Sequence, residues 1–166
     1  TPVAWDGIIP SLTSGQVDAI MASMSITEER MKTIDFSNKY YNTPTVIVGP
    51  KGEAMTADAE GLKGKILGVQ VATVHEAYAQ KHFGGSVAEI KIYQTQDEAN
   101  QDLVAGRIDA TQADSIALDA FLTSDAGACC EVKGAVADDQ AVLGLGVGVG
   151  LRKGDAALME KFNAGI

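Results

Sequence analysis

Two short segments, far apart in the chain, have similar sequences. This internal repeat constrains the fold more than any other feature of the sequence. Residues 12–19 match residues 103–110, with Gly15 and Gly106 at the same place in each. Each segment predicts the end of a helix, a glycine stop and the start of a strand. The repeat occurs twice and not at a short fixed period. It therefore excludes a solenoid and predicts two lobes with similar folds.

Apolar runs and helical patterns alternate along the chain. Strands are predicted at residues 17–22, 43–48, 66–71, 90–93, 108–112 and 143–151, and helices begin near Trp5, Thr27, Thr73, Thr95 and Asp114. A Ser or Thr followed three residues later by Glu, as at Ser25, Thr73 and Thr95, is the capping-box signature of a helix start. Residues 54–64 are small and polar and predict a linker with a short helix. The alternation predicts an α/β fold with a largely parallel sheet.

The charge of the chain excludes one class of partner. A net charge of −9 argues against nucleic acid, because neutralising phosphates needs clustered Lys and Arg. The same charge is compatible with a cationic ligand. No apolar run has the length of a membrane span, and no secretory leader stands at the start, which is compatible with a mature exported protein.

Residue types that bind metals or carry catalysis are sparse. Cys129 and Cys130 are adjacent, which is not a zinc spacing. They are two thiols or, in an oxidising compartment, a bridged pair or partners of another segment. His75 and His82 have no third ligand nearby in sequence, and no G-x-S-x-G motif occurs. The sequence therefore predicts no metal, no cofactor and no catalytic residue.

The internal repeat also predicts where a ligand binds. Ser23 and Asp114 lie at the same offset beyond the two matched segments, each just past the end of a predicted strand. Ligands of open α/β sheets bind outside the carboxyl ends of strands. Two facing lobes would therefore place Ser23 and Ser25 opposite Asp114, across a cleft.

The side chains around these positions suit the two charged groups of a zwitterion. Arg30, together with hydroxyls and free amides at the helix starts near Ser25 and Thr73, would hold a carboxylate. Asp114 would hold an ammonium group, and Trp5 would offer a flat apolar face. Each residue also has a purely structural alternative. Ser25, Thr27, Thr73 and Asp114 suit helix caps, Arg30 could pair with Glu28 or Glu29, Trp5 could be core, and Tyr40 and Tyr41 are expected to pack.

Several motifs resemble the polar amino acid family of periplasmic binding proteins. They are residues 5–12, 18–30, 34–37 with Tyr40 and Tyr41, 62–65, 106–110 and 148–153, in order along nearly the whole chain. The resemblance implies a two-lobe α/β fold of the periplasmic-binding-protein-like (type II) class, with the first lobe incomplete. Residues 1–49 and 151–166 would form the partial first lobe, 50–142 the second lobe, and 43–48 and 143–151 two hinge strands.

The resemblance also implies roles by position. Trp5 would stack on the ligand side chain, Ser23 and Ser25 would contact its carboxylate and amine, Arg30 and Thr73 would hold the carboxylate, and Asp114 would hold the α-ammonium group. Ala22, Gln70 and His75 occupy pocket positions where relatives often carry Ser, Leu and Gln. These departures bear on which ligand is bound.

The function implied is transport rather than catalysis. The protein would bind a polar, cationic L-amino acid (arginine, lysine, ornithine or histidine) or an opine in the periplasm, and deliver it to the membrane permease of an ABC importer. The alternatives are the sensory domain of a receptor and an enzyme similar to cyclohexadienyl dehydratase. A strand-exchanged dimer would be one way to complete a truncated first lobe.

Overall fold

The computed structural model describes residues 2–166, which form two compact units. The first unit contains the residues up to Asn42 together with Asp139–Ile166, and the second unit is Thr43–Asp138. The chain thus crosses between units at two points, after Asn42 and after Asp138. The domain boundaries predicted at residues 49/50 and 142/143 lie a few residues from these crossings.

The elements alternate as the sequence predicts. In chain order the helices are α1 (Ile8–Thr13), α2 (Glu28–Met31), α3 (Val74–Phe83), α4 (Gln96–Val104), α5 (Ser115–Leu122), α6 (Gln140–Leu143) and α7 (Ala156–Gly165). The strands are β1 (Ala19–Ile20), β2 (Ile34–Phe36), β3 (Thr45–Pro50), β4 (Ile66–Gln70), β5 (Glu89–Tyr93), β6 (Ala110–Asp114), β7 (Cys130–Ala135) and β8 (Gly150–Arg152). Short 3-10 turns, Trp5–Gly7 and Ala126–Cys129, precede α1 and β7.

The sheet of the first unit is small and antiparallel. Its strand order is β1-β8-β2, and β8 pairs with both neighbours in the antiparallel sense. Its core is a cluster of buried side chains from α1, β1, β2 and the loop after β1, namely Leu12, Ile20, Met24 and Ile34. This cluster fixes the end of β1, and hence the place from which the loop at Ser23 starts.

The sheet of the second unit is mixed. Its order is β5-β4-β6-β3-β7, with β4 parallel to β5 and β6, and β3 antiparallel to β6 and β7. With both pairs of the first unit's sheet also antiparallel, the prediction of a largely parallel sheet is wrong for four of the six strand pairs. The helices α3 and α4 give the parallel crossovers among β4, β5 and β6, whereas β3 and β7 enter and leave the unit beside the two crossings.

The internal repeat of the sequence is confirmed as a repeated helix ending. Gly15 and Gly106 have φ of 80° and 71°, the left-handed conformation that glycine adopts without strain. The amides of Gln16 and Arg107 donate to the carbonyl oxygens of Ser11 and Asp102 at 2.9 and 2.8 Å. Both segments then lead into a strand, which is β1 in the first unit and β6, the central strand of its sheet, in the second.

Three local predictions are wrong. The strand expected over residues 17–22 is only Ala19–Ile20, because the chain turns outward and leaves Met21 69% exposed. Residues 54–64 form turns and no helix. The capping box at Ser25 is not formed, since Thr27 is the N-cap of α2 and accepts from the amide of Arg30. The hydroxyl of an N-cap accepts from the amide three residues later, and Thr27 has this position relative to Arg30.

The strand predicted at residues 143–151 is also wrong over most of its length. Leu143 ends α6, and β8 begins only at Gly150. Gly144 has φ of 86°, outside the strand region, and a Cβ added there would lie 2.4 Å from the carbonyl oxygen of Ile26. At Gly148 a Cβ would lie 2.9 Å from the side chain of Ile26. The glycines therefore permit close approach to the loop before α2.

Gly144→Ala is expected to lower the free energy of unfolding by more than 2 kcal/mol, on the order of the sum of backbone strain and steric overlap. Urea denaturation of both proteins measures the difference. The matched control is Gly154→Ala, where φ is 81° but no atom lies within 4 Å of the added Cβ. Its expected loss is about 1 kcal/mol, from strain alone. Equal losses at the two positions would contradict the steric account.

The two cysteines are bonded to each other. The disulfide joins Cys129, the last residue of the second 3-10 turn, to Cys130, the first residue of β7. The amide of Lys51 donates to the carbonyl oxygen of Cys129 at 2.9 Å, and its ammonium group to that of Ala128 at 2.8 Å. Of the alternatives left open by the sequence, the structure has the bridged pair.

Candidate ligand-binding site

In the first unit, the loop between β1 and α2 carries most of the predicted contacts. Ala22 and Ser23 are exposed directly after β1, and Ser25 is partly buried. Ser25 bridges to Val147, and the amide of Ile26 donates to Gly146 at 2.8 Å. The glycine-rich segment before β8 therefore holds the backbone of this loop.

Arg30 is a cation that forms no ion pair with any group of residues 2–166. Its Nη1 donates to the carbonyl oxygen of Ser25 at 2.9 Å, and no carboxylate within residues 2–166 forms an ion pair with it. The predicted alternative of pairing with Glu28 or Glu29 is not realised, and Glu29 pairs instead with Lys32. Burial lowers the pKa of Arg30 to about 10, because desolvation disfavours the charged form. A guanidinium in this state is suited to receive an anion from outside the chain.

Trp5 packs on the core, as one of the two alternatives predicted, and it also contacts Arg30. Its ring is partly buried and packs against the core cluster of the first unit. The guanidinium of Arg30 lies 5.8 Å from the ring centroid, within the range of a cation–π contact. Trp5, Ser25 and Arg30 are thus brought together in one place.

Sequence reasoning missed the contact that Tyr41 makes. Tyr40 and Tyr41 pack edge to face as predicted, with ring centroids 4.9 Å apart. In addition, the phenolic hydroxyl of Tyr41 donates to the hydroxyl of Ser23. Burial, and then the neighbouring Tyr41, raise the pKa of Tyr40. The repeated aromatic pair was the only signal in the sequence, and it does not distinguish packing from hydrogen bonding.

In the second unit, Thr73 is the N-cap of α3. Its hydroxyl accepts from the amide of Glu76 at 3.1 Å and donates to the carbonyl oxygen of Gln70 at 2.8 Å. The hydroxyl proton of Thr73 is therefore already donated to a group of the protein itself. The first amides of a helix have no partner inside the helix, so the backbone of this turn, rather than the hydroxyl, offers donors to an anion.

The first turn of α3 is tied to the sheet beneath it. Gln112, fully buried on β6, donates to the carbonyl oxygen of His75 at 3.2 Å. The hydroxyl of Thr45 on β3 lies 3.2 Å from Nδ1 of His75. Gln70, at the end of β4, donates to Gln94 at 3.2 Å. These contacts fix the helix start that carries Thr73.

Asp114 ends β6 and begins α5. One carboxylate oxygen accepts from the amide of Ile116 at 2.8 Å, so the alternative of an N-cap is realised. The other oxygen accepts from the hydroxyl of Thr43. A carboxylate has about four lone-pair sites, so both bonds leave room for an ammonium group. The cap and the ligand contact are therefore compatible.

Backbone strain in the described residues lies at or next to a predicted contact in each unit. Ser23 and Ala72 are the non-glycine residues between 2 and 166 with positive φ, 57° and 58°. One follows β1 in the first unit, and the other precedes Thr73 in the second. Strained residues of this kind cluster at binding sites, where the surroundings hold them in place.

Ala72→Gly is expected to raise the free energy of unfolding by about 1 kcal/mol, because glycine removes the left-handed penalty of an L side chain. Thermal unfolding measures the change. Ala77→Gly, in the interior of α3, is the matched control and should instead lower stability by about 1 kcal/mol. A destabilised A72G variant would show that Ala72 is held without strain.

Each unit thus carries part of the chemistry needed for an amino acid. The first unit offers a guanidinium, hydroxyls and an aromatic face. The second offers a carboxylate and a helix N-terminus. The structure brings Trp5, Ser25 and Arg30 together in one unit and Thr73 and Gln70 together in the other, and it places Ser23 beside Tyr41 and Asp114 beside Thr43.

Comparisons with known proteins find several relatives of this chain. The L-arginine-binding protein of Pseudomonas aeruginosa is 45% identical over 163 residues, covering 98% of this chain and 63% of the relative. The histidine-binding periplasmic protein of Escherichia coli K12 is 40% identical over 159 residues, covering 95% and 61%. Lysine/arginine/ornithine-binding and octopine-binding periplasmic proteins are also similar.

A solved structure gives the same result for the fold. An ancestral arginine-binding protein bound to arginine superposes with a TM-score of 0.88 at 35% identity, covering 99% of this chain and 70% of that one. This confirms the predicted α/β class. The chain spans about three fifths of the length of the two curated relatives. The family of bacterial extracellular solute-binding proteins, family 3, matches residues 1–166. This chain belongs to family 3 of the bacterial extracellular solute-binding proteins.

Proposed function

We propose that this protein captures a cationic L-amino acid, or an opine derived from one, in the periplasm and delivers it to the permease of an ABC importer. The ligand would lie in the cleft predicted between the two units. Relatives named for binding arginine, histidine and octopine support this ligand class. The hinge role of residues 43–48 and 143–151, and a strand-exchanged dimer, stay predictions.

One observation carries the proposal. Arg30 is desolvated, its pKa is lowered to about 10, and it has no carboxylate partner in the described part of the chain. A charge held in this way is costly unless an anion completes it. The α-carboxylate of an amino acid supplies that anion, and a guanidinium can bind it through two parallel hydrogen bonds.

The other charged end of the ligand has a matching acceptor. Asp114 accepts a hydrogen bond on each oxygen and keeps lone pairs for an ammonium group. A carboxylate that already accepts one hydrogen bond on each oxygen is positioned to accept further hydrogen bonds, here from an ammonium group. This arrangement favours binding over the acid catalysis of a dehydratase, and the relatives are named as binding proteins.

The proposed location follows from the relatives. The histidine-binding and lysine/arginine/ornithine-binding relatives are periplasmic. In residues 2–166, no helix has the length and apolar character that crossing a membrane requires. A receptor's sensory domain remains the second hypothesis, and no contact in the structure favours it.

The test is a titration followed by tryptophan emission. Trp5 is the only tryptophan, and the Arg30 guanidinium lies 5.8 Å from its ring, so an anion that binds Arg30 should change the emission. The panel contains L-arginine, L-lysine, L-ornithine, L-histidine and octopine, with D-arginine and L-glutamate as controls. A saturable change with the cationic L-amino acids or octopine supports the proposal. No change by emission, and no heat in calorimetry, for any of them would refute it.

A further inference from the structure

The short segment that joins the two units donates a hydroxyl hydrogen bond in each of them. Within the first unit, Tyr41 donates to Ser23. Within the second unit, Thr43 donates to Asp114. The crossing between units falls between these two residues, after Asn42. The two acceptors are the proposed carboxylate contact and the proposed ammonium contact.

We propose that Tyr41 and Thr43 are positioning residues for the head group of the ligand. Tyr41 directs the hydroxyl proton of Ser23 toward the carboxylate, and Thr43 directs the carboxylate of Asp114 toward the ammonium group. This inference rests on the proposed function, because it names what sets the geometry of the same site.

The chemistry of the hydroxyl gives the reason at Ser23. A serine hydroxyl has one proton and two lone pairs. Since Tyr41 donates into one lone pair, the serine proton points elsewhere, toward any acceptor in front of the loop. A chain of two hydroxyls also polarises its last donor, which strengthens its bond to an anion. Ser23 is exposed and has φ of 57°, so the bond from Tyr41 also helps to hold a strained loop.

At Asp114 the same logic applies to an acceptor. The amide of Ile116 fixes one oxygen at 2.8 Å, and the Thr43 hydroxyl fixes the other. With one donor on each oxygen, rotation of the carboxylate is restrained. The remaining lone pairs therefore keep one direction, which lowers the cost of ordering the group when an ammonium binds.

The test uses variants that remove one hydroxyl and little else. Tyr41→Phe and Thr43→Val should each weaken L-arginine binding by about 3- to 10-fold, the size expected for loss of one hydrogen bond. Thr43→Ser, which keeps the hydroxyl, should restore most of the affinity. The matched controls are Tyr93→Phe and Thr56→Val, which remove hydroxyls that donate to Asp102 and Asp58, two carboxylates outside the predicted site. They should leave the dissociation constant unchanged.

Crossed double-mutant cycles separate positioning from a general structural role. Tyr41→Phe should have almost no further effect in a Ser23→Ala background but keep its full effect with Asp114→Asn. Thr43→Val should lose its effect with Asp114→Asn and keep it with Ser23→Ala. L-Histidine is titrated in parallel, so a preference for that probe does not hide the result.

Each outcome decides one proposal. If the wild type binds neither L-arginine, L-histidine nor any other member of the panel, the proposed function fails. If the wild type binds while Y41F and T43V bind equally well, or the cycles show no crossed pattern, the positioning role is wrong and the proposed function stands. The crossed pattern, with unchanged controls, supports both.

Discussion

Replacing Arg30 with methionine is expected to weaken L-arginine binding by about 30-fold to several thousand-fold, or about 2–5 kcal/mol, the cost of removing one partner from a desolvated charge pair. The free energy of unfolding should stay the same or rise. Arg30 is desolvated and pairs with no carboxylate of the described residues, so methionine removes a cost and loses only the bond to Ser25 and the contact with Trp5. Calorimetry of binding and urea denaturation of the same variant measure the two effects.

The prediction for Arg30→Met is specific because affinity should fall while the free energy of unfolding stays the same or rises. Arg107→Met is the matched control, because Arg107 pairs with Asp102 at 2.6 Å and its side chain is 60% exposed. It should lose at most about 1 kcal/mol of stability and none of the affinity. If R30M bound L-arginine as tightly as the wild type, Arg30 could not be the carboxylate contact. If R30M were strongly destabilised, its guanidinium would be structural.

Asp114→Asn is expected to give the second large loss of affinity, again about 2–5 kcal/mol, because the amide no longer offers a charge to the ammonium group. Stability should hardly change, since asparagine caps helices as well as aspartate does. Asp114→Ala should lose the same affinity and also about 1 kcal/mol of stability, as the cap of α5 disappears. The difference between the two variants separates the cap from the ligand contact.

The control for Asp114 is the other aspartate cap. Asp155 accepts from the amide of Leu158 at 3.2 Å at the start of α7. Asp155→Ala should cost about 1 kcal/mol of stability with no change in affinity, and Asp155→Asn should be neutral in both. An Asp114→Asn variant that keeps full affinity would leave Asp114 with the capping role alone.

Helix starts were the most predictable part of the structure. Thr73, Thr95 and Asp114 were predicted from local residue types, and each is the observed N-cap. Caps are decided by a side chain and an amide three residues away, so a short window of sequence contains the interaction. The capping box predicted at Ser25 was wrong because Thr27 caps the same helix instead.

Strand pairing was less predictable. The direction of β3 and β7 depends on where the chain enters and leaves the second unit, which no local pattern records. The alternating glycines from Gly144 to Gly150 resemble a strand by period alone. At Gly144 and Gly148 the chain instead passes close to Ile26, whose main chain and side chain would collide with an added Cβ.

The sequence by itself determined the α/β class, the repeated helix ending and the side chains proposed for the site, because these depend on residue types and short spacings. The tertiary structure alone decided that Arg30 pairs with no carboxylate of residues 2–166, although Glu28 and Glu29 stand beside it in the chain. It alone showed the bonds of Tyr41 to Ser23 and of Thr43 to Asp114. Each of these bonds joins residues far apart in sequence, and such a contact exists only once packing has fixed the distance between them.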